Sequence, residues 1–268
     1  MAEYQKGHNY IWNSHVLYAA PGMYAEFHEH YAASIAVALD KPIHIETRST
    51  DEYYQAAIVA PNVYHQTISP DTPILLLLLD PESLAYQSLE SKVLPGEVTS
   101  LESSLFDGLR PTFTRALQGE LNCSQARQLF DSVIQCISGF TPTKRALDSR
   151  VEQILRELRL TTDIETDIES LTESLQVADL ASKVNLSADR LMRLFKEEMG
   201  IPIRRFILWR RILKAVHLLS DGLNLTEAAH EAGFADSAHL SRTFKKNFGI
   251  QPSFFFGSNP LMKFHFCD

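Results

Sequence analysis

The sequence has 268 residues, 45% hydrophobic and 22% charged. That balance excludes a disordered chain and suffices for two ordinary domains with cores of their own. The longest unbroken apolar run, Ile74 to Leu79, is far short of the roughly 20 residues a membrane helix needs. Residues 1–12 carry Glu3 and Lys6 and show no apolar signal core. Cys123, Cys136 and Cys267 are too far apart for a metal-type pair, and their odd number suits a reducing compartment. The expectation is a cytoplasmic protein without a membrane partner. The formal net charge of -8 argues, as a bulk value, against nucleic acid, but it is unevenly spread. Residues 177–256 hold twelve Lys/Arg against eight Asp/Glu, so a basic back follows an acidic front.

In chain order, residues 10–79 show short apolar runs between turn residues. The runs are Ala32 to Leu39, Pro42 to Thr47, Ala56 to Ala60 and Ile74 to Leu79, punctuated by Pro21-Gly22, Asp40-Lys41-Pro42, Pro61-Asn62 and Ser69-Pro70-Asp71. Strands at this spacing predict an antiparallel barrel or sandwich. From Ser100 the period becomes helical, through Leu101, Leu105 and Leu109 and then Ala126, Leu129, Phe130, Val133, Ile134 and Ile137. Thr141 to Lys144 looks like a linker, after which Val151, Ile154, Leu155 and Leu158 open a new helical stretch. The segment Thr161 to Glu173 is acidic and rich in Thr and Ser, and is expected to be a loop with a short helix.

The back half contains a duplication. Leu191, Arg193, Phe195, Lys196 and Gly200 correspond to Leu240, Arg242, Phe244, Lys245 and Gly249 at a constant offset of 49. Upstream, Ala181 and Leu186 match Ala229 and Phe234 at an offset of 48. Each copy reads as helix, tight turn, helix. The first has a helix over residues 177–184, a turn at Asn185-Leu186, and Ser187 as N-cap of the next helix. The second has a helix over 226–232, a turn at Gly233, and Asp236 or Ser237 as the cap. On a helical wheel Leu191, Leu194 and Phe195 share one face, as do Leu240, Thr243 and Phe244. The opposite faces carry Asp189, Arg193 and Lys196, and Ala238, Arg242 and Lys245. A short rigid helix with a cationic outer face is what reading a major groove requires. Between the copies, residues 203–220 have apolar residues at helical spacing without Gly or Pro. They form a rod of about 27 Å, close to the roughly 34 Å between successive major grooves on one face of DNA.

Over residues 148–256 the chain resembles the AraC-type (AraC/XylS) transcription regulators. The residues that carry the likeness are Leu180-Ala181, Ser187, Arg193-Leu194-Phe195-Lys196, Gly200, Pro202, Phe206, Arg211, Ala215, Leu218-Leu219, Gly233-Phe234, Leu240, Arg242, Phe244-Lys245, Gly249 and Pro252. It implies a DNA-facing set of Asp189, Arg190, Met192, Arg193 and Lys196, then Ala238, His239, Arg242 and Lys245, with Arg193 and Arg242 as the guanine readers. Asp189 also reads as a partner of its helix's positive end. Two positions depart from the pattern: Ala228 replaces a β-branched residue, and Phe255-Phe256 replaces an aromatic-arginine pair.

More weakly, the front is similar to the cupin-like barrel that many such regulators carry. His28-Glu29-His30 and the later His65 match the two cupin motifs, while Ala33, Ser34 and Ile35 stand where the family has a glutamate. If His28 and His30 share a strand they point the same way, so with His65 they form either a three-histidine metal site or the polar lining of an effector pocket. The pocket is the expectation, with no metal or cofactor. The expected organisation is α+β. Residues 1–140 form a cupin-like effector-binding and dimerisation domain, 141–147 a linker, and 148–257 a double helix-turn-helix DNA-binding domain. The resemblance implies a non-enzymatic, effector-responsive regulator. Its partners are double-stranded promoter DNA, RNA polymerase, a small-molecule effector and a second copy of the chain, met through the helix around Ser124 to Ser138. The rival reading is a metal-dependent cupin enzyme fused to a DNA-binding domain.

Overall fold

The computed structural model describes residues 6–12, 15–93, 96–139, 147–163, 177–256 and 262–267, with the side chains of 90–93 and 159–163 set aside. The expected linker falls almost wholly outside them, as does most of the acidic segment 161–173. The chain divides into two units. The first joins residues 1–144 with 244–268, and the second comprises 145–243.

In the first unit the strands are β1 (Gly7–Trp12), β2 (His15–Ala20), β3 (Met23–His28), β4 (Ala33–Ala38), β5 (Ile43–Glu46), β6 (Asp51–Tyr54), β7 (Ala56–Val59), β8 (His65–Ser69), β9 (Ile74–Leu79), β10 (Val98–Ser100) and β11 (Met262–Phe266). Seven of them form one sheet in the order β10-β7-β4-β9-β2-β1-β11, and the others form a second, β3-β8-β5-β6. β4 and β9, central in the larger sheet, are buried almost throughout, which is why they read as apolar runs, interrupted in β4 by Ser34 alone. One face of that sheet, with Tyr10, Leu17, Ile35, Ile58, Leu75 and Leu77, packs on Phe106, Phe113, Phe130 and Val133. Phe106 lies in the 3-10 turn Ser103–Leu109, Phe113 in helix α2 (Arg110–Leu117) and Phe130 in α3 (Cys123–Ser138), with α1 (Leu84–Val93) alongside.

Sequence sets the limits of α3. Asn122 and Gln125 form a reciprocal capping box, and Gly139 ends the helix at φ 71°. Its apolar face, from Ala126 to Ile137, is spent on the core of its own unit, so Arg127, Gln128, Asp131 and Gln135 remain outward.

Two features were not foreseen. β11, beyond the helical repeat, pairs in parallel with β1, Gly7 opposite Met262 and Ile11 opposite Phe266. It thereby carries Cys267 to the start of α3, where it forms a disulfide with Cys123 across 144 residues of sequence. Cys136 stays a free thiol. Spacing alone had left all three cysteines unpaired.

The second unit is helical: α4 (Ser149–Asp163), α5 (Val177–Lys183), α6 (Ala188–Met199), α7 (Ile203–Ser220) and α8 (Leu225–Glu231). Helix α9 (Ser237–Phe248) begins in it and ends in the first unit, where α10 (Pro252–Phe256) follows. Leu180, Leu191, Phe195, Phe206, Ile212 and Ala215 are among its core residues. The architecture is α+β, sheet-rich in front and helical behind.

Candidate nucleic-acid interface and a buried histidine cluster

The first copy of the repeat is α5-turn-α6. Asn185 closes the turn at φ 54°, a left-handed conformation that Asn tolerates better than other side chains. Ser187 then accepts a hydrogen bond from the Arg190 amide and starts α6. Leu191, Phe195 and Met199 bury one face, while Asp189, Arg190, Arg193 and Lys196 are exposed on the other and Met192 is half-buried.

The second copy is α8-turn-α9. Asn224 and Glu227 form a capping box at the start of α8. Gly233, at φ 79°, makes the turn, and the Asp236 carboxylate accepts from the His239 amide at 2.6 Å, which settles the cap as Asp236. Leu240, Thr243 and Phe244 are buried, Ala238 and Arg242 exposed, His239 and Lys245 half-buried. The His239 ring stands edge-on to Phe234, 5.3 Å between centroids. Lys245 has a partner that the sequence did not suggest: its ammonium lies 2.9 Å from the Glu26 carboxylate on β3. The same strand region accepts the end of α9, with the Glu26 amide donating to Gly249 O and the Glu29 amide to Lys246 O, both at 3.2 Å.

α7 spans the residues the spacing assigned to it. Its first turn exposes Arg204 and Arg205, cations absent from the expected DNA-facing set. Their position is unusual, since cations at a helix N-terminus oppose the helix dipole, and that departure was a signal available in the sequence. Arg211 is partly buried, and loss of solvent pulls its pKa below the usual arginine value.

In the first unit, His28, His30 and His65 come together. His28 ends β3 and sits opposite His65, the first residue of β8, in the strand register. His30 lies two residues beyond β3 in a loop whose His30 carbonyl accepts from the Asn62 amide at 2.9 Å. His28 and His30 therefore do not converge by sharing a strand, as expected; a turn brings His30 in. The rings are 4.4 Å (His28–His65), 5.3 Å (His28–His30) and 5.3 Å (His30–His65) apart. All three are at most 5% exposed. Each Nδ1 meets a backbone carbonyl: Glu26 O at 2.8 Å from His28, Ala32 O at 2.7 Å from His30, Val63 O at 2.9 Å from His65. A carbonyl only accepts, so each Nδ1 carries the proton and each neutral ring keeps its lone pair on Nε2. Burial lowers all three pKa values, that of His30 to about 3, so the rings are neutral at pH 7. One potential ligand atom from each lies within 4.8 Å of the others.

Residues 180–258 match the family described as a helix-turn-helix domain. The chain therefore carries a helix-turn-helix domain over these residues. Among relatives of that domain, the Msm operon regulatory protein of Streptococcus mutans is 37% identical over 83 residues, covering 31% of this chain and 30% of its own. The transcriptional activator RhaS of Citrobacter koseri is 32% identical over 107 residues, 39% of this chain and 35% of its own. The chain thus spans about a third of the curated relatives it matches. Among solved structures, the apo form of a ToxT variant from Vibrio cholerae covers 90% of this chain and 96% of its own, with a TM-score of 0.56 and 12% identity. A ToxT structure bound to (E)-4-(8-methylnaphthalen-1-yl)but-3-enoic acid covers 90% and 97%, with a TM-score of 0.54 and 15% identity. At these identities the likeness is one of fold, and it extends over the sheet-rich front as well as the helix-turn-helix domain.

Proposed function

We propose that the chain is a sequence-specific DNA-binding transcriptional regulator that responds to a small effector. The observation that carries this reading is the duplication: two equivalent capped helices present Arg193 and Arg242 to solvent at matched positions, inside an AraC-type domain. The names of the curated relatives, an operon regulatory protein and a transcriptional activator, support a regulator rather than an enzyme.

The DNA-facing set is Asp189, Arg190, Met192, Arg193 and Lys196 on α6, and Ala238, His239, Arg242 and Lys245 on α9. Arg193 and Arg242 read guanine by paired hydrogen bonds, while Lys196, Arg204 and Arg205 serve phosphates. Residues 148–257 form the DNA-binding domain, 141–147 the linker, and 1–140 the effector-binding and dimerisation domain, with the effector held around His28, His30 and His65. The acid-bound ToxT structure, a protein of similar fold, supports an effector-binding front. Double-stranded promoter DNA, RNA polymerase and a second copy of the chain are the proposed partners, and the cytoplasm the proposed compartment. Among the described residues no helix is long and apolar enough to cross a membrane.

The test is binding of the full chain to the DNA flanking its gene, compared with random DNA of equal length at the same salt. Protection of one bipartite site, with at least about 1,000-fold preference over random sequence, is expected. Equal affinity for both DNAs would overturn the reading.

A further inference from the structure

We propose that the Cys123–Cys267 bond is a reversible switch, opened and closed by exchange with small thiols and disulfides, and that it sets DNA affinity through β11, α10 and α9. The compartment and the DNA readout rest on the regulator reading above, while the exchange site does not.

The two cysteines are 144 residues apart in sequence, with their Cα atoms at 5.4 Å. In the reducing cytoplasm a bonded pair of this kind is catalytic or redox-sensing rather than a permanent staple. The surroundings suit both states. Cys267 is buried and Cys123 half-buried, so a small reagent has one sulfur to meet. Cys123 is also the first residue of the sixteen-residue helix α3, whose positive end favours a thiolate. For the opened form each sulfur has a carbonyl acceptor at hand: Phe266 O at 3.7 Å from Cys123 and His265 O at 3.6 Å from Cys267. On closing, the Cys123 thiolate attacks a small disulfide and expels one small thiolate, leaving a mixed disulfide. The Cys267 thiolate then attacks the Cys123 sulfur, forms the protein bond and expels the second. The protein gives up two protons and two electrons, and the small disulfide becomes two thiols. Opening is the reverse.

What the bond fixes is the border of the larger sheet, where β11 has β1 as its neighbour. Phe264 of β11 meets both aromatics of α10. Phe256 stacks on it at 4.7 Å with 19° between the planes, and Phe255 stands edge-on at 6.2 Å. The same two rings reach Phe244 of α9, at 5.9 Å from Phe255 and 6.4 Å from Phe256. Four phenylalanines thus join the strand that carries Cys267 to the helix that carries Arg242 and Lys245, a contiguous path of packed side chains. Phe256 is also where the sequence departs from the aromatic-arginine pattern of the family it resembles. The ring that replaces the arginine is the one stacked on β11. With the bond closed, the end of α9 is held on β3, where Glu26 takes Lys245 and the Glu26 and Glu29 amides donate to Gly249 O and Lys246 O. Opening loosens that hold and frees Lys245 for phosphate, so the dithiol form binds DNA more tightly.

The experiment uses the full chain with Cys136→Ser, so that no third thiol joins the exchange. It is equilibrated with reduced and oxidised glutathione at a series of ratios. Alkylation read by mass gives the fraction closed, fluorescence anisotropy with the DNA flanking the gene gives the affinity, and hydrogen exchange follows the Glu26 and Glu29 amides. The bond is expected to pass from closed to open within the series. Over the same ratios affinity should rise at least about 5-fold and both amides should exchange faster. Phe264→Ala should leave the titration of the bond in place and remove most of the change in affinity. Should that variant fail to fold, the chain with Phe264 intact still decides. A bond closed at every ratio, or open at every ratio, would overturn the proposal. In a chain that binds DNA, an affinity indifferent to the state of the bond overturns it as well. A chain that binds no DNA overturns the regulator reading, and the switch then stands or falls on whether the two amides respond.

Discussion

Asn185 and Gly233 are the same turn residue in two copies of one unit: 48 positions apart, both left-handed, at φ 54° and 79°, each leading to a capped helix. Asn185 is exposed and Gly233 buried. A side chain at Gly233 therefore meets the backbone cost of this conformation at a buried position. Gly233→Ala is expected to lower stability by roughly 1–2 kcal/mol, whereas Asn185→Gly changes it by less than about 0.5 kcal/mol. Urea unfolding of the two variants checks the contrast, and equal losses would show the turns not to be equivalent.

Arg193→Ala and Arg242→Ala should each cost roughly 1–3 kcal/mol of binding and relax preference at one base pair. Lys196→Ala should weaken all sequences alike and flatten the salt dependence by about one counterion. Competition binding against a library of single-base operator variants separates the two outcomes. An arginine variant with unchanged affinity and preference does not read a base.

The Glu26–Lys245 pair holds on strand β3 a cation of the proposed DNA-facing set. Both groups are substantially exposed, so the pair itself contributes little to stability. Its removal should instead release the ammonium to phosphate. Glu26→Gln is expected to raise DNA affinity a few-fold and steepen the salt dependence by about one counterion, measured by fluorescence anisotropy across a salt series. Unchanged slopes would mean that Lys245 meets DNA in neither protein.

His15 gives the fold a pH dependence. Its ring lies between Trp12 and Phe130, with centroids at 4.8 and 4.2 Å, and accepts from Arg127 at 3.2 Å. Burial first, then the Arg127 charge, lowers its pKa to about 3. The unfolded chain therefore takes up the proton first as pH falls. His15's contribution is whole above its unfolded pKa near 6.5 and is lost as pH drops toward 3, by up to about 1.4 kcal/mol per pH unit. His15→Phe should flatten the fall in urea midpoint between pH 7 and pH 4.5. A parallel shift of the whole curve would refute the assignment.

The disulfide should show in unfolding as well. Cys267→Ser is expected to lower stability by about 2–4 kcal/mol under non-reducing conditions. Alkylation of the unreduced, denatured parent should label Cys136 and neither of the paired cysteines; labelling of all three would rule the bond out.

Much of the helical part was legible because its signals are local. A cap, a helix of period 3.6 and a left-handed turn each occupy a few consecutive residues, so α7 falls on its expected limits, and α5 and α8 lie within one residue of theirs. Apolar strands buried on both faces, β4 and β9, were legible for the same reason. What escaped depends on residues far apart in the chain. β11 has no recognisable pattern until β1 supplies a partner some 250 positions away, and the bond between Cys123 and Cys267 follows only from that pairing. The histidine cluster was half legible: the three residues were chosen correctly as neighbours, but by a shared strand that His30 does not occupy. Pairing of Lys245 with Glu26 left no trace in either local pattern.

The return of Met262–Phe266 to the sheet bears on how the molecule can be cut. A deletion beginning after residue 257 would spare every side chain proposed to face DNA, yet strip the outermost ribbon from the larger sheet and leave the amides and carbonyls along one side of Gly7–Trp12 bare. An uncovered, mostly buried strand of that kind recruits another chain. Trimmed versions should therefore clump or exchange segments, and reporter fusions are better placed away from this seam.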